Sequence, residues 1–411
     1  MQKTPKGFRL HIGIFGRRNV GKSSILNAMT RQSVSIVSDT AGTTTDPVEK
    51  PMELLPLGPV LFIDTAGVDD AGALGEMRVD KTKQVFDRTD IGIIVTTPKQ
   101  WGDFETEILA ELERRKVPAM VIFNKCDTAE PCPDIIAKLD EQKIPHIQTV
   151  ATEKKGVLEL REKLIKIVPE EFIKTPSIIG DLLPKGDLAI LVVPIDMEAP
   201  KGRIILPQVQ TIRDVLDNDA YCLMCKDREL PDALDRLNRP PAVVVTDSQA
   251  FEQVSASTPE DIALTSFSIL FARLKGDLNE FVRGASQIGK LKPGNKILIA
   301  ESCSHHPIGD DIGRVKIPNW LNNFVGGELD ITITQGHDFP ENLGDYELVI
   351  QCGGCMWNRR EILSRILHCK DAGTAITNYG LTIAYVLGIF ERALKPFTEA
   401  EAIYKQIQAE Q

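Results

Sequence analysis

The sequence has no uninterrupted apolar run near the eighteen or so residues that a membrane-spanning helix needs. It also has no apolar segment near residue 1 of the kind found in secretory signals, so we expect a cytoplasmic protein without a membrane partner. Basic residues are in deficit, with 48 Lys and Arg against 58 Asp and Glu, a net charge of -10. Because non-specific nucleic-acid binding needs many Lys and Arg contacts to phosphate, we expect no nucleic-acid partner.

The length of 411 residues, with 42% hydrophobic and 26% charged residues, predicts a globular protein with more than one core. The chain has no low-complexity tract and no repeat of solenoid length. It contains eight cysteines. In a reducing compartment such cysteines are buried thiols or metal ligands rather than disulfides.

Short apolar runs alternate with amphipathic stretches along the chain, which predicts an α/β fold with parallel-type sheets. We expect a first domain over residues 1–170 with a mostly parallel sheet, and a linker follows near Val168–Pro176. Two smaller α/β units are expected over residues 178–268 and 269–411.

A phosphate loop lies between the first predicted strand and the helix after it, in Gly16-Arg-Arg-Asn-Val-Gly21-Lys22-Ser23. Backbone N–H groups of such a loop cradle phosphates, Lys22 reaches the β and γ phosphates, and the Ser23 hydroxyl binds Mg²⁺. The sequence therefore predicts a P-loop nucleotide site. Its expected members in this segment are Gly16, Asn19, Val20, Gly21, Lys22, Ser23 and Ser24.

Two further motifs follow strands; the first contacts Mg²⁺ and the γ-phosphate, and the second selects the base. In Asp64-Thr-Ala-Gly67, Asp64 can hold the magnesium shell and the Gly67 amide can sense the γ-phosphate. In Asn124-Lys125-Cys-Asp127, the Asp127 carboxylate can accept from guanine N1–H and the exocyclic amine, which adenine cannot match. The backbone amide of Ala151 is expected on the guanine carbonyl. GTP is the predicted nucleotide.

The stretch Asp39–Asp46 resembles the first switch of the Era-like, tRNA-modifying GTPases. That resemblance makes Thr44 the magnesium-contacting threonine, with its neighbours Thr43 and Thr45 as alternatives. It also implies that Asn19 binds an activating K⁺. The water-orienting glutamine of Ras-like enzymes is replaced by Val68, so Glu76 either orients the water or is a solvated carboxylate. The predicted catalytic residues are Lys22, Thr44, Gly67 and Glu76.

Two cysteine groups each close an apolar run near the end of the chain: Cys303 with His305, and Cys352 with Cys355 in Gln-Cys-Gly-Gly-Cys. Ligands of open α/β sheets collect at the carboxyl ends of strands. Two thiolates three residues apart can hold one metal or cluster, and the glycines between them let the backbone turn. From the residues alone an iron–sulfur cluster, a structural zinc ion and unliganded thiols remain open, with His305 as a possible fourth ligand.

The remaining cysteines are not expected to be ligands, and Cys126, Cys132 and Cys369 are interpreted as incidental. Cys222 and Cys225 lie in a strand-like run, where residues three apart face opposite sides, so buried structural thiols are expected. His337 is interpreted as a solvated loop histidine that could approach the cysteine site.

The whole chain resembles one family, the HydF GTPases of [FeFe]-hydrogenase maturation. The resemblance is carried by the GTPase motifs, by Cys352-Gly-Gly-Cys355, and by segments such as Val245–Phe251, Asp311–Pro318 and Ile376–Gly380. It implies that the middle unit forms a homodimer. It further implies that the last unit binds a [4Fe–4S] cluster through Cys303, Cys352 and Cys355. By the same resemblance the cargo is a diiron precursor, and the partners are apo [FeFe]-hydrogenase and the radical-SAM maturases.

The family pattern places a histidine before the Cys-X-X-Cys pair, and this chain has Gln351 there. Glutamine is a poor cluster ligand, so we expect the fourth position to be filled by another group. The candidates are His305, Asp310, Asp311, water or the incoming precursor. An alternative function is an Era-like GTPase of RNA modification or ribosome assembly with a structural zinc site, which the acidic charge disfavours.

Overall fold

The computed structural model describes residues 6–30, 47–54, 57–65, 82–169, 172, 177–194, 204–302 and 311–410. Contacts along the chain divide it into two compact units, Met1–Thr175 and Pro176–Gln411. Within these described ranges, no helix combines the length and the apolar character needed to cross a membrane.

The first unit contains a six-stranded sheet in the order β2-β3-β1-β4-β5-β6. Only β2 is antiparallel to its neighbour, and it lies at the edge of the sheet. The central strands β1 and β4 are buried on both faces, which explains why the sequence shows them as continuous apolar runs. The strands are β1 Leu10–Phe15, β2 Val48–Leu54, β3 Gly58–Asp64, β4 Ile91–Thr96, β5 Ala119–Asn124 and β6 His146–Thr149.

Helices cover both faces of this sheet. One core contains Ile25 and Leu160 from two of the helices, and the other contains Leu112 and Leu139 from the other two. The α/β class and the mostly parallel sheet predicted for this part of the chain are confirmed. The helices are α1 Lys22–Thr30, α2 Asp103–Arg114, α3 Pro133–Glu141 and α4 Val157–Ile167, and residues 82–87 are also helical.

The second unit contains two parallel four-stranded sheets, in the orders β10-β9-β7-β8 and β12-β11-β13-β14. The further α/β sheets predicted from the sequence are therefore present. The strands of the first sheet are β7 Leu188–Val192, β8 Tyr221–Cys225, β9 Val243–Thr246 and β10 Ala263–Ser266. Those of the second are β11 Lys296–Glu301, β12 Asp330–Gln335, β13 Leu348–Gln351 and β14 Ala375–Asn378.

Ten helices are described in this unit, and α8 packs against helices of both sheet layers, namely α5, α11 and α12. This position places the end of α8 beside the end of β13. The helices are α5 Leu206–Asp217, α6 Leu230–Asp235, α7 Phe251–Ser257, α8 Phe267–Lys275, α9 Leu278–Ala285, α10 Ile317–Val325, α11 Arg359–Asp371, α12 Tyr379–Val386, α13 Phe390–Leu394 and α14 Thr398–Ala409. The domain boundaries expected at residues 170, 178 and 268 stay predictions.

Candidate functional site

The predicted phosphate loop connects β1 to α1. Lys22 is the first residue of α1, and its Nζ donates to the carbonyl oxygens of Gly16 at 2.6 Å and Arg17 at 3.1 Å. The ammonium group therefore lies across the loop, where it can meet the phosphates of a nucleotide. Asn19 is exposed and has a φ of 63°, a left-handed conformation that asparagine tolerates better than most residues. Ser23 is half-buried and Ser24 is exposed.

Asn124 joins the phosphate loop to the guanine-side segment. Its Nδ2 donates to the Val20 carbonyl at 2.9 Å, and its Oδ1 accepts from the Ala151 amide at 3.1 Å and Thr149 Oγ1 at 3.3 Å. A Cβ on Gly21 would lie 2.2 Å from Asn124 Nδ2, and Gly21 has a φ of +98°. Glycine is therefore required where the loop passes this side chain.

The other two residues of the guanine motif face different ways. Lys125 Nζ donates to the Asn19 carbonyl at 2.7 Å, so it braces the phosphate loop. The Asp127 side chain is exposed, which leaves its carboxylate open to a base. Sequence reasoning placed Asn124, Lys125, Asp127 and Ala151 in one nucleotide site, and the structure gathers them at the carboxyl ends of β5 and β6.

Asp64 ends β3 with a buried Oδ1 that has no hydrogen-bond partner within the described ranges. Burial raises the pKa of Asp64 above its ordinary value, and the ammonium groups of Lys22 and Lys50 oppose that rise. The Lys50 Nζ, on β2, is also buried without a hydrogen-bond partner in the described part of the chain. An acidic oxygen left unpaired beside the phosphate loop is suited to the hydration shell of Mg²⁺. Sequence reasoning missed Lys50, because β2 was not predicted as a strand.

Three predicted catalytic residues, Thr44, Gly67 and Glu76, lie outside the described residues, as do the alternatives Thr43 and Thr45. Their roles stay predictions.

The second site is built where β11 and β13 end side by side, with Ala300 paired to Gln351 in parallel register. The Ser302 amide donates to Cys352 Sγ at 3.1 Å, and the Cys352 thiol lies 3.0 Å from Ser302 Oγ. Cys303, the next residue, and His305 lie outside the described residues. Among the residues that the structure describes, no group of three or more His, Cys, Asp or Glu side chains is placed to hold a metal ion.

The loop from Cys352 to Cys355 turns at Gly354, whose φ is +58°. A Cβ there would lie 2.7 Å from Ile362 Cδ1, so a larger residue would strain the turn. The Trp357 amide closes the turn by donating to the Gly354 carbonyl at 3.0 Å.

The side chain of Lys275, the last residue of α8, extends to this loop. Its side chain is buried, and its Nζ donates to the carbonyls of Gly354 at 2.9 Å, Cys355 at 2.9 Å and Trp357 at 2.7 Å. Burial lowers the pKa of Lys275 to about 8, while negative charge on Cys355, Cys352 and Glu361 acts in the opposite direction. Burial raises the pKa of the Cys355 thiol, the charge of Cys352 adds to the rise, and Lys275 opposes it.

Gln351 is 1% exposed and uses both ends of its amide. Its Oε1 accepts from Arg365 Nη1 at 2.6 Å, and its Nε2 donates to Ser302 Oγ at 3.0 Å and the Cys352 carbonyl at 3.2 Å. The same nitrogen lies 3.6 Å from Cys352 Sγ. The side chain therefore positions the end of β13 and offers no vacant oxygen toward the thiols.

An aromatic layer covers this arrangement. The His337 ring stacks on Trp357 with 5.4 Å between centroids and a 3° angle, and its Nδ1 is in hydrogen-bonding distance of Glu361 Oε1. The Arg365 guanidinium lies 4.2 Å from the Trp357 ring centroid. The His337 side chain is 38% exposed in the loop after β12, as expected for a solvated loop histidine, and it also approaches the cysteine loop by stacking and hydrogen bonding beside it.

Other predicted groups have local structural partners. Asp311 Oδ1 accepts from the Arg314 amide at 2.7 Å, so this candidate fourth ligand caps the turn at residues 312–316. Cys222 and Cys225 lie on β8 as expected, but both are half-buried rather than buried, because β8 is an edge strand. Burial raises the pKa of Cys225 to about 11, and the nearby acidic groups add to the rise.

Three models of known families match the chain. Residues 11–125 match a 50S ribosome-binding GTPase model, residues 178–276 the hydrogen maturase F dimerization domain, and residues 279–396 the hydrogen maturase F tetramerization domain. The chain belongs to the hydrogen maturase F (HydF) family. The HydF resemblance read from the sequence is thereby confirmed, together with the N-terminal GTPase domain.

Curated relatives include GTPases of other families. The GTPase Der of Wolinella succinogenes is 36% identical over 29% of this chain and 26% of its own length. The tRNA modification GTPase MnmE of Chromobacterium violaceum is 31% identical over 39% of this chain and 35% of its own length. The chain thus spans about a quarter to a third of these relatives. Among solved structures, the G domain of the T. maritima FeoB iron transporter is 22% identical, with a TM-score of 0.31, over 39% of this chain and 99% of that one.

Proposed function

We propose that this protein is a GTP-hydrolysing scaffold that binds a [4Fe–4S] cluster and assembles or delivers a diiron precursor to apo [FeFe]-hydrogenase. The observation that carries the proposal is the 3.1 Å hydrogen bond from the Ser302 amide to Cys352 Sγ. Because Cys303 follows Ser302 directly, this bond supports a site in which Cys303 joins Cys352 and Cys355. Membership of the HydF family supports the same reading.

The residues at this site suit a thiolate-bound cluster. Cys352 and Cys355 are soft ligands on a turn that Gly354 permits, and neither is in a disulfide. The Ser302 amide supplies an N–H donor to Cys352 Sγ, and the buried Lys275 supplies a positive charge to the loop. When bound, the cluster would supply an iron position to which a further ligand or precursor can attach. That position is left to His305, Asp310, Asp311, water or the precursor, since Gln351 is bonded to Arg365 and the capping bond of Asp311 uses only its Oδ1.

The GTPase reaction is proposed for the first unit. Lys22 neutralises the β and γ phosphates, Asp127 selects guanine, and Ser23 and Asp64 hold Mg²⁺. The buried, unpartnered Oδ1 of Asp64 supports the magnesium assignment. Thr44, Gly67 and Glu76 complete the catalytic set in this proposal, as the magnesium-contacting threonine, the γ-phosphate sensor and the water-orienting carboxylate.

Potassium activation is proposed through Asn19. Its side chain is exposed on the phosphate loop, and its carbonyl is held by Lys125. An amide oxygen at that place can share a monovalent cation with the phosphates, which would neutralise charge that develops during hydrolysis.

Self-association is proposed through the unit that contains β8. This strand is at the edge of its sheet, and Tyr221 and Met224 on it are 64% and 40% exposed. Val209 and Leu216 on α5 are also exposed. Unpaired edge groups beside apolar side chains favour strand addition by a second copy. The matched dimerization and tetramerization models support oligomerisation, and the radical-SAM maturases and apo-hydrogenase are the further partners proposed.

Anaerobic reconstitution with iron and sulfide tests the cluster assignment. The protein should take up roughly four irons per chain and show the visible and EPR spectra of a [4Fe–4S] cluster held by Cys thiolates. The double variant Cys352→Ala, Cys355→Ala should lose this uptake. The matched variant Cys222→Ala, Cys225→Ala should keep it, because that Cys-X-X-Cys pair lies on an extended strand. A colourless wild-type protein with one bound zinc would instead favour the structural-zinc alternative.

A further inference from the structure

A buried lysine lies under the cysteine loop, and nothing in the loop sequence points to it. Lys275 is 77 residues before Cys352, and only 3% of its surface is exposed. An ammonium group has three N–H donors, and three loop carbonyls lie 2.7–2.9 Å from this one. The cation therefore has one fixed place, beneath the loop that links the two thiols.

The surroundings of this cation carry a surplus of positive charge. Among the residues that the structure describes, the buried charged side chains that contact the loop or its aromatic cover are Lys275, Arg365 and Glu361, which are 3%, 4% and 5% exposed. Two are positive and one is negative. A buried positive surplus is unfavourable unless an anion offsets it, and Cys352 and Cys355 would supply that negative charge as the thiolate ligands of a bound cluster.

Backbone geometry supports the same conclusion. The carbonyls of Gly354, Cys355 and Trp357 converge on Lys275 Nζ, so one cation orients three peptide groups in and just after the Cys352–Cys355 loop. The start of α11 is tied to the same helix end, because Arg359 Nη1 donates to the Leu274 carbonyl at 2.7 Å. Without the ammonium, the carbonyls of Cys355 and Trp357 would lose this donor and that of Gly354 would keep only the Trp357 amide, so the spacing of the two cysteines would no longer be fixed.

We propose that Lys275 is a positioning residue of the cysteine site, which fixes the Cys352–Cys355 loop for ligation and raises the reduction potential of the cluster held there. The inference rests on the proposed cluster-binding function. A nearby fixed positive charge favours the more negative, reduced state of a cluster, and hydrogen bonds around the ligands act in the same direction. A lysine with only a structural role would affect the stability of the protein and leave the reduction potential of the cluster unchanged.

Full-length Lys275→Met keeps the side-chain length and removes the charge and the donors. The matched control is Lys290→Met, an exposed lysine of the same unit. After reconstitution, Lys275→Met should show a more negative reduction potential in an EPR-monitored titration. It should also lose iron to a chelator about tenfold to a hundredfold faster, the range found when residues that support metal ligands are removed. Lys275→Arg, which keeps the charge, should recover the potential, and Lys290→Met should match the wild type.

The proposal would be overturned if Lys275→Met had the same reduction potential and iron-release rate as the wild type. It would also be overturned if Lys275→Arg had the same altered potential as Lys275→Met. If the circular dichroism of iron-free Lys275→Met shows loss of fold, Lys275→Gln replaces it, because its amide keeps two donors without the charge. A wild-type protein that takes up no cluster would refute the cluster-binding function itself, a result separate from any difference among variants.

Discussion

Gln351→Ala tests whether residue 351 positions the cysteine strand or serves as a ligand. The substitution removes the acceptor of Arg365 Nη1 and the donors to Ser302 Oγ and the Cys352 carbonyl. A hydrogen bond to a buried charged group contributes about 1.5–3 kcal/mol. The cavity left by a buried side chain that is 1% exposed adds to this loss, so we expect about 2–4 kcal/mol lower stability for the second unit.

Tryptophan fluorescence during urea unfolding of the iron-free protein measures this loss. In a Trp101→Phe background, the remaining tryptophans, Trp320 and Trp357, both lie in the second unit. Gln253→Ala, at an exposed position on α7, is the control and should change stability by less than about 0.5 kcal/mol. A loss for Gln351→Ala as small as that of the control would refute the positioning role. The variant should still assemble the cluster, and abolished assembly in a folded protein would make residue 351 a ligand.

Three further predictions concern the GTPase unit and the second unit. Lys22→Ala should lower GTP hydrolysis by at least about a hundredfold and leave iron uptake unchanged, since the sites lie in different units; parallel loss of both would contradict this independence. Replacing K⁺ by Na⁺ should slow hydrolysis in a steady-state phosphate-release assay, and equal rates in the two salts would remove the role of Asn19. Asp214→Ala should destabilise the second unit by about 2–4 kcal/mol in the same urea assay, because Asp214 Oδ2 accepts from three successive amides and Ser177 Oγ. Asp217→Ala, at an exposed position on the same helix, should have little effect, and equal losses would count against the Asp214 contacts.

Most central strands could be predicted from the sequence, because strands buried on both faces are continuous apolar runs. β1 and β4 have the bounds expected from those runs. The edge strand β2 was missed, since Pro51 and alternating charges in Val-Glu-Lys-Pro-Met-Glu-Leu do not resemble a strand. An edge position tolerates both features, and only the pairing with β3 reveals it.

The candidate sites could also be predicted only in part from the sequence. Local spacing indicated the phosphate loop and the Cys352–Cys355 pair, because each motif lies on one short segment. Lys275 could not be predicted, since it acts on backbone carbonyls 79–82 residues away and leaves no pattern near the cysteines. The sequence shows Gln351 where the family has a histidine. The role of Gln351 depends on its hydrogen bond to Arg365 on α11, which only the fold brings to the end of β13.

Transfer of cargo to apo [FeFe]-hydrogenase is the sharpest test of the proposed scaffold function. Protein isolated after co-expression with the radical-SAM maturases would be mixed with purified apo-hydrogenase, and hydrogen evolution would be measured. We expect activation by the wild type and by the Cys222→Ala, Cys225→Ala variant, and none by the Cys352→Ala, Cys355→Ala variant. Equal activation by the Cys352, Cys355 double variant, or none by a cluster-loaded wild type, would contradict the proposed function.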